Sequence, residues 1–451
     1  MAIVAWFGSI DSVQPDMIRR LKDGIGLTAL IPDDYTPHHS GFRLPADLLE
    51  RSPLARWRDR PDLVERHRKT YGLAPNATPV FAGIVPPPYD DGKLRRLIEE
   101  ADRLGVEVWA HLGLWGYGGD IFPEFALHDD QSNTIPDEYL YWGAPFCPNH
   151  IEVRDWTAVC LQYIARHYGF KAIDVDHGHY PPPASLTGLF GCCCPRCEAR
   201  ARALGYDFDA IKAALVDLRR RLAGLTLAQV KKAADLAGGF LDFLSYFSYE
   251  ARLLDWFRFR CQVVTEHMAA LTQAAHETVG DACPVDSHLF PPVIAFLSGQ
   301  DIPTWEQAVD RLTPGWGPVV GWVESQVNSF AIWARKLCAR VDGLDERTAL
   351  AVIYRFFGYD QLPMPHTVAE LVEGWMPTQR VPAAAILALE IQKAAARFSG
   401  EKPFLPPFRT TNLSLDELAG VGRVIKAVGA AGFVTGGNLS DDQLAAMRAA
   451  L

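Results

Sequence analysis

Lys171 to Cys197 reads KAIDVDHGHYPPPASLTGLFGCCCPRC, and the fold turns on how this stretch is read. Ala172-Ile173-Asp174-Val175-Asp176 has the alternation of a short strand: Ile173 and Val175 point one way, Asp174 and Asp176 the other. Two carboxylates therefore share a face. A polar cluster of His177, His179 and Tyr180 follows, then a proline-rich loop that runs into Cys192, Cys194 and Cys197. Before the strand, Ile151 to Tyr168 is amphipathic and closes at Gly169, so helix and strand form the step that a parallel sheet requires.

Similar steps recur on both sides. LTALI (Leu27 to Ile31), PVFAGIV (Pro79 to Val85) and VEVWAHLGL (Val106 to Leu114) read as strands one to three, with a helix LRRLIEEADRLG before the third. CPVDSHLF (Cys283 to Phe290), VDRLT (Val309 to Thr313), AAAILALEIQ (Ala383 to Gln392) and GFVTGG (Gly432 to Gly437) read as strands five to eight. The expected fold is α/β: one (β/α)8 TIM barrel over residues 1–451, with a Cys-rich zinc loop after strand four and helical insertions at about 198–277 and 323–375. The N-terminal AIVAWFG either replaces a weak strand or caps the barrel base.

The composition is globular, with 49% hydrophobic and 22% charged residues. A net charge of −10, with Lys and Arg dispersed among acids, argues against nucleic acid as a ligand. No window of about 18 apolar residues and no basic leader is visible, so the expectation is a cytoplasmic protein without a membrane partner, with self-association left open. Nine cysteines, four of them crowded between 192 and 197, suit a metal site in a reducing compartment better than a disulfide framework.

Cys192-x-Cys194-x-x-Cys197 gathers three soft thiolates in one turn, and Cys147 in PFCPNH can close a four-thiolate structural zinc site. His150 or Cys160 is the alternative fourth ligand, and Cys193 can replace a neighbour. The CxCPxC loop, followed by EARARALGYDFDAIKAAL, resembles the zinc loop of glycoside hydrolase family 42 β-galactosidases and related barrels, over roughly residues 145 to 215. The resemblance implies Cys147 as the upstream ligand. It also implies an Asn-Glu acid/base at the end of strand four, where this chain has Asp174-Val175-Asp176-His177-Gly178. The phrase AIDVDHG in turn resembles the DGxDxDxE strand of chitinase-like family 18 barrels, with Gly178 where their catalytic Glu stands.

Barrel enzymes build their sites at the C-terminal ends of strands. Those positions here hold His111, Asp174, Asp176, His177, His179, Tyr180, Asp286 and His288, with Glu390 and Gln392 on the seventh strand and Trp115 in an aromatic loop after the third. Cleaving a glycoside takes two carboxyls, one protonating the leaving oxygen and one serving as nucleophile or base. Asp176 is the expected acid and Glu390 its partner, the remaining residues orienting a carbohydrate substrate. Two other functions fit the same residues. One is a metal-dependent hydrolase with zinc or manganese on His111, His177, His179, Asp286 and His288; the other is a carbohydrate-binding barrel that has lost its acid.

Overall fold

Seven parallel strands, each short and mostly buried, form a single sheet that curls into a nearly closed barrel. The computed structural model describes residues 3–33, 44–75, 91–113, 118–136, 144–176, 178–181, 187–235, 250–314, 321–374, 376–408 and 413–451. The strands are β1 (Ile3–Ser9), β2 (Ala29–Asp33), β3 (Glu107–Gly113), β4 (Ala172–Asp176), β5 (Val285–Leu289), β6 (Arg311–Pro314) and β7 (Gly432–Gly436). Their spatial order is β6-β5-β4-β3-β2-β1-β7. The N-terminal segment is thus a full member of the sheet, paired with β2 on one side and β7 on the other. At Gly432 an added Cβ would lie 1.7 Å from the Ile3 carbonyl oxygen, so the β1–β7 contact requires glycine there.

Between β6 and β7 the gap is spanned by Pro403 to Phe408. Leu405 N–H donates to Leu312 O (2.9 Å) on β6, and Phe408 N–H donates to Val434 O (2.7 Å) on β7. Among the described residues only single bridges form, Leu312 with Phe404 and Pro407 with Val434, because Pro403, Pro406 and Pro407 have no N–H to give a ladder.

This segment stands where the seventh strand was expected, and AAAILALEIQ is a helix, Ala383–Ala395. Its buried residues Ile386, Leu387, Glu390, Ile391 and Ala394 follow a helical period, and Ala, Leu, Gln and Lys favour that state. PVFAGIV lies outside the described residues. The remaining strands fall within two residues of their expected places.

Side chains facing the barrel axis form a small apolar plug: Ala5, Phe7, Ala29, Ile31, Trp109, Ala172, Leu405 and Val434. The opposite faces of the strands join a larger core with the surrounding helices. Between β4 and β5 come the helices Pro195–Ala203, Phe208–Ala223, Leu227–Asp235 and Ala251–Val279. The last of these packs along Ile151–Tyr168. After β6 come Trp322–Arg340 and Glu346–Phe357. Both stretches are thus rich in helix.

Candidate functional site

Strand parity puts one set of polar side chains over the plug. β3 pairs with β4 so that His111 stands opposite Asp174, and β4 with β5 so that Asp174 stands opposite Asp286. β5 pairs with β6 so that Asp286 stands opposite Arg311 and His288 opposite Thr313. Residues sharing parity in adjacent strands share a face, here the barrel interior.

Asp174 is the hub. Its Oδ2 contacts His111 Nδ1 at 2.6 Å and His288 Nε2 at 2.8 Å, and its Oδ1 accepts from Thr313 Oγ1 at 3.2 Å. Burial works against its charge, but the charge on His288 and the two imidazole hydrogen bonds outweigh burial and hold the carboxyl below the usual range. Asp176, two residues nearer the strand end, is buried as well. His288 Nδ1 lies 2.9 Å from its Oδ1, an ion-pair contact off the hydrogen-bonding line, and His111 Nε2 lies 4.0 Å from its Oδ2. His288 is thus wedged between two carboxylates, and facing acids with both nitrogens requires the imidazolium. Burial opposes that cation, yet Asp174 and Asp176 prevail and push its pKa up to about 10. Phe7 lies edge-on to His111 and His288, with ring centroids 5.1 and 6.2 Å away, closing the cluster from the β1 side.

Asp286 is engaged by a cation of the next strand. Its Oδ1 takes the Arg311 Nε–H at 2.5 Å, while Arg311 lies 4.1 Å over the Trp109 ring. Burial, with Asp174's charge added, outweighs the guanidinium and pushes Asp286 up to about 7. One of its oxygens thus holds Arg311, on the strand face where a substrate contact was expected of it.

Other expected site residues are redistributed. Glu390 lies on the Ala383–Ala395 helix and is fully buried. Its Oε1 accepts from Tyr359 Oη (2.6 Å) and Lys393 Nζ (2.8 Å), and its Oε2 from Val293 N (3.0 Å). It clamps this helix to the segment after β5 and does not face the barrel axis from a strand. Gln392 is exposed on the same helix. Tyr180 is buried with the Arg260 guanidinium 4.3 Å above its ring, which removes it from any substrate surface. His179 is buried, its Nδ1 2.7 Å from Tyr180 O and its ring edge-on to Phe290 after β5. His177 and Trp115 lie outside the described residues. Gly178 lies within them, and an added Cβ would meet Trp305 at 3.2 Å and Met268 at 3.4 Å. A side chain there would enter packed core, so the position that holds the acid in chitinase-like barrels does not look into this mouth.

Thr313, Arg311 and Phe7 belong to the site and were not among the expected residues. The signal for two of them was available: Arg311 and Thr313 share parity on the strand with the weakest sequence pattern.

A second cluster lies apart from the first. Cys147, Cys192, Cys194 and Cys197 are buried with sulfurs all within 4.8 Å of one another, positioned to hold a metal ion. Cys147 Sγ is 3.3 Å from Cys197 Sγ and 3.8 Å from Cys194 Sγ. A tetrahedral ion with bonds of about 2.3 Å sets its sulfurs about 3.8 Å apart, close to these values. Cys194 precedes the helix Pro195–Ala203 and Cys197 lies in its first turn. His128 N–H and Asn149 Nδ2–H donate to Cys192 and Cys197 sulfurs at 3.3 and 3.1 Å, as second-layer donors to thiolates do. Burial pushes the Cys147 and Cys197 thiols well up, so forming the tetrathiolate takes a cation. Cys160 lies outside the cluster, and the Cys193 thiol turns to Phe190 O.

No protein-family model matches the chain, and no curated protein matches it. Solved structures similar to it include the PgaB (BpsB) glycoside hydrolase domain from Bordetella bronchiseptica, at 12% identity and TM-score 0.49, covering 100% of this chain and 97% of that one. The catalytic domain of a β-amylase from Paenibacillus polymyxa aligns at 10% identity and TM-score 0.41, covering 98% and 94%. A β-galactosidase from the psychrophilic Marinomonas ef1 aligns at 9% and 0.36, covering 98% and 71%. Likenesses this low assign no chemistry, which has to come from the chain's own side chains.

Proposed function

We propose that this chain is a glycoside hydrolase, cleaving a carbohydrate substrate at the C-terminal mouth of its barrel, with Asp176 as general acid. The observation that carries the reading is the Asp174–His288–Asp176 array: a carboxyl at the strand end in contact with an imidazolium, itself anchored by a deeper carboxylate. Once turned onto the Asp176 carboxylate 2.9 Å away, the His288 Nδ1–H can supply through Asp176 the proton that the glycosidic oxygen takes as its bond to the anomeric carbon breaks. Water then adds to that carbon and returns a proton to the pair. Asp174, bound to His111, His288 and Thr313, keeps the imidazole oriented and charged. Glu390 has no part in this scheme, because its oxygens already serve Tyr359, Lys393 and Val293.

The zinc-loop resemblance supports the same class, with zinc as the structural ion on Cys147, Cys192, Cys194 and Cys197. Pro403 to Phe408 serves as a degenerate eighth strand of a TIM barrel, and residues 1–451 form one domain. None of the nine cysteines is in a disulfide, and a reducing, cytoplasmic setting suits such thiols. Among the described residues no helix is long and apolar enough to cross a membrane.

A second reading, a hydrolytic metal ion on His111, Asp174 and His288, is favoured by their ligand atoms lying within 4.8 Å of one another. Against it, the Arg311 cation already takes one oxygen of Asp286, the carboxylate that stands opposite Asp174 on the next strand. A panel of p-nitrophenyl glycosides and oligosaccharides, assayed with and without chelator, tests both. Turnover that survives brief chelation is expected; turnover restored only by an added exchangeable metal overturns the acid mechanism in favour of the metallohydrolase, and no turnover of any glycoside overturns both the acid mechanism and the hydrolase class.

A further inference from the structure

The helix Ala251–Val279 carries a cation that the barrel site does not use. Arg260 is fully buried, its guanidinium carbon 4.3, 5.7 and 6.0 Å from the ring centroids of Tyr180, Trp256 and Phe257. Its hydrogen bonds go to two backbone carbonyls, Nη1 to Leu297 O (3.0 Å) and Nη2 to Gly188 O (3.3 Å). Among the described residues its Nε has no hydrogen-bond partner, and no ion pair joins it to a carboxylate. A guanidinium keeps its proton in a protein, and an interior charge is normally paired. Arg260 therefore holds a full positive charge against ring faces and carbonyl dipoles.

The surroundings of that charge lead to the cysteine loop. Gly188 opens the turn Gly188–Phe190, which runs directly into Gly191-Cys192-Cys193-Cys194. Trp256, one helical turn before Arg260, donates Nε1–H to Leu189 O at 2.8 Å, so the helix grips two successive carbonyls of this turn. Tyr180, under the guanidinium, has a buried hydroxyl without a partner. Burial, and after it the nearness of the Cys197 and Cys147 thiols, pushes that phenol well up, while its ring lies 4.3 Å from the Arg260 guanidinium. Burial draws the Arg260 guanidinium's own pKa down, and Tyr180, then the Cys261, Cys193 and Cys192 thiols, act in the opposite direction.

A divalent ion on four thiolates is a dianion, and burying it needs compensation. We infer that Arg260 is the counter-charge of the tetrathiolate metal centre, offsetting half of that dianion while holding the turn from which Cys192 and Cys194 extend. The inference rests on the metal reading above.

The test compares zinc binding by wild type, Arg260→Gln and Arg260→Lys. Metal per chain is counted, zinc affinity is measured by chelator competition, and the thiolate-to-cobalt charge-transfer band is recorded after Co2+ exchange. Arg260→Gln keeps a donor for the turn but loses the charge, and its zinc affinity should fall by about 10- to 100-fold. Arg260→Lys keeps the charge and should stay within a few-fold of wild type. Folded Arg260→Gln with wild-type affinity overturns the inference, as does Arg260→Lys binding more than tenfold weaker, which also decides the matter if the Gln variant does not fold. A wild-type chain that takes up neither zinc nor cobalt removes the metal reading together with this one; a metal-replete wild type with an insensitive Gln variant removes this one alone.

Discussion

The two buried clusters of this chain are built from opposite kinds of sequence information. Three of the four sulfurs come from a six-residue run, so their meeting follows from local spacing, and only Cys147 has to be brought from a distance. The barrel-mouth cluster takes one or two residues from each of β1, β3, β4, β5 and β6, and they meet through strand register alone. A knot of local ligands tolerates errors in the surrounding fold, whereas a site assembled by register fails if one strand is misplaced. The misplaced seventh strand had that effect: it brought into the expected site Glu390, which lies on a helix and is bound to Tyr359, Lys393 and Val293.

The comparison can be broken most sharply at the knot. Cys194→Ser should remove metal and most soluble protein together, because a structural ion on four thiolates contributes folding free energy directly. Metal content and soluble yield check this, and a folded, metal-replete Cys194→Ser variant contradicts it. Glu390→Gln should cost stability and leave chemistry alone: about 1–3 kcal/mol in denaturant unfolding, from weakened bonds to Tyr359, Lys393 and Val293, with turnover within about twofold of wild type. A large loss of turnover at unchanged stability would return Glu390 to the reaction.

The third prediction concerns pH. His288 has a folded pKa of about 10, above its ordinary value of 6.5, so the folded state binds the extra proton. Its contribution to stability is complete below about 6.5 and is lost as pH rises toward about 10. Wild type should therefore lose melting temperature across that window more steeply than His288→Gln. Parallel slopes would mean that the imidazolium is not held between Asp174 and Asp176.

Much of this was legible without coordinates because the patterns were local. The alternation of Ala172 to Asp176 placed two acids on one face, and the same parity placed Asp286 and His288 together. The failure at Ala383 to Gln392 also has a local cause. A run of Ala, Ile and Leu reads as a buried strand or a buried helix with equal ease, and the true occupant of the gap, Pro403 to Phe408, is disguised by prolines. Asp286 was placed on the right face, but its partner Arg311 lies on another strand, so nothing within its own strand showed that the carboxylate was engaged.

The most direct measurement is the turnover of Asp176→Asn on a glycoside that wild type cleaves, with metal content and melting temperature taken on the same preparation. The account predicts turnover lower by about 10²- to 10⁴-fold, with zinc per chain and melting temperature close to wild type, since the change nearly conserves shape and lies apart from the cysteines. Near-normal turnover by a folded, zinc-replete Asp176→Asn variant would contradict it.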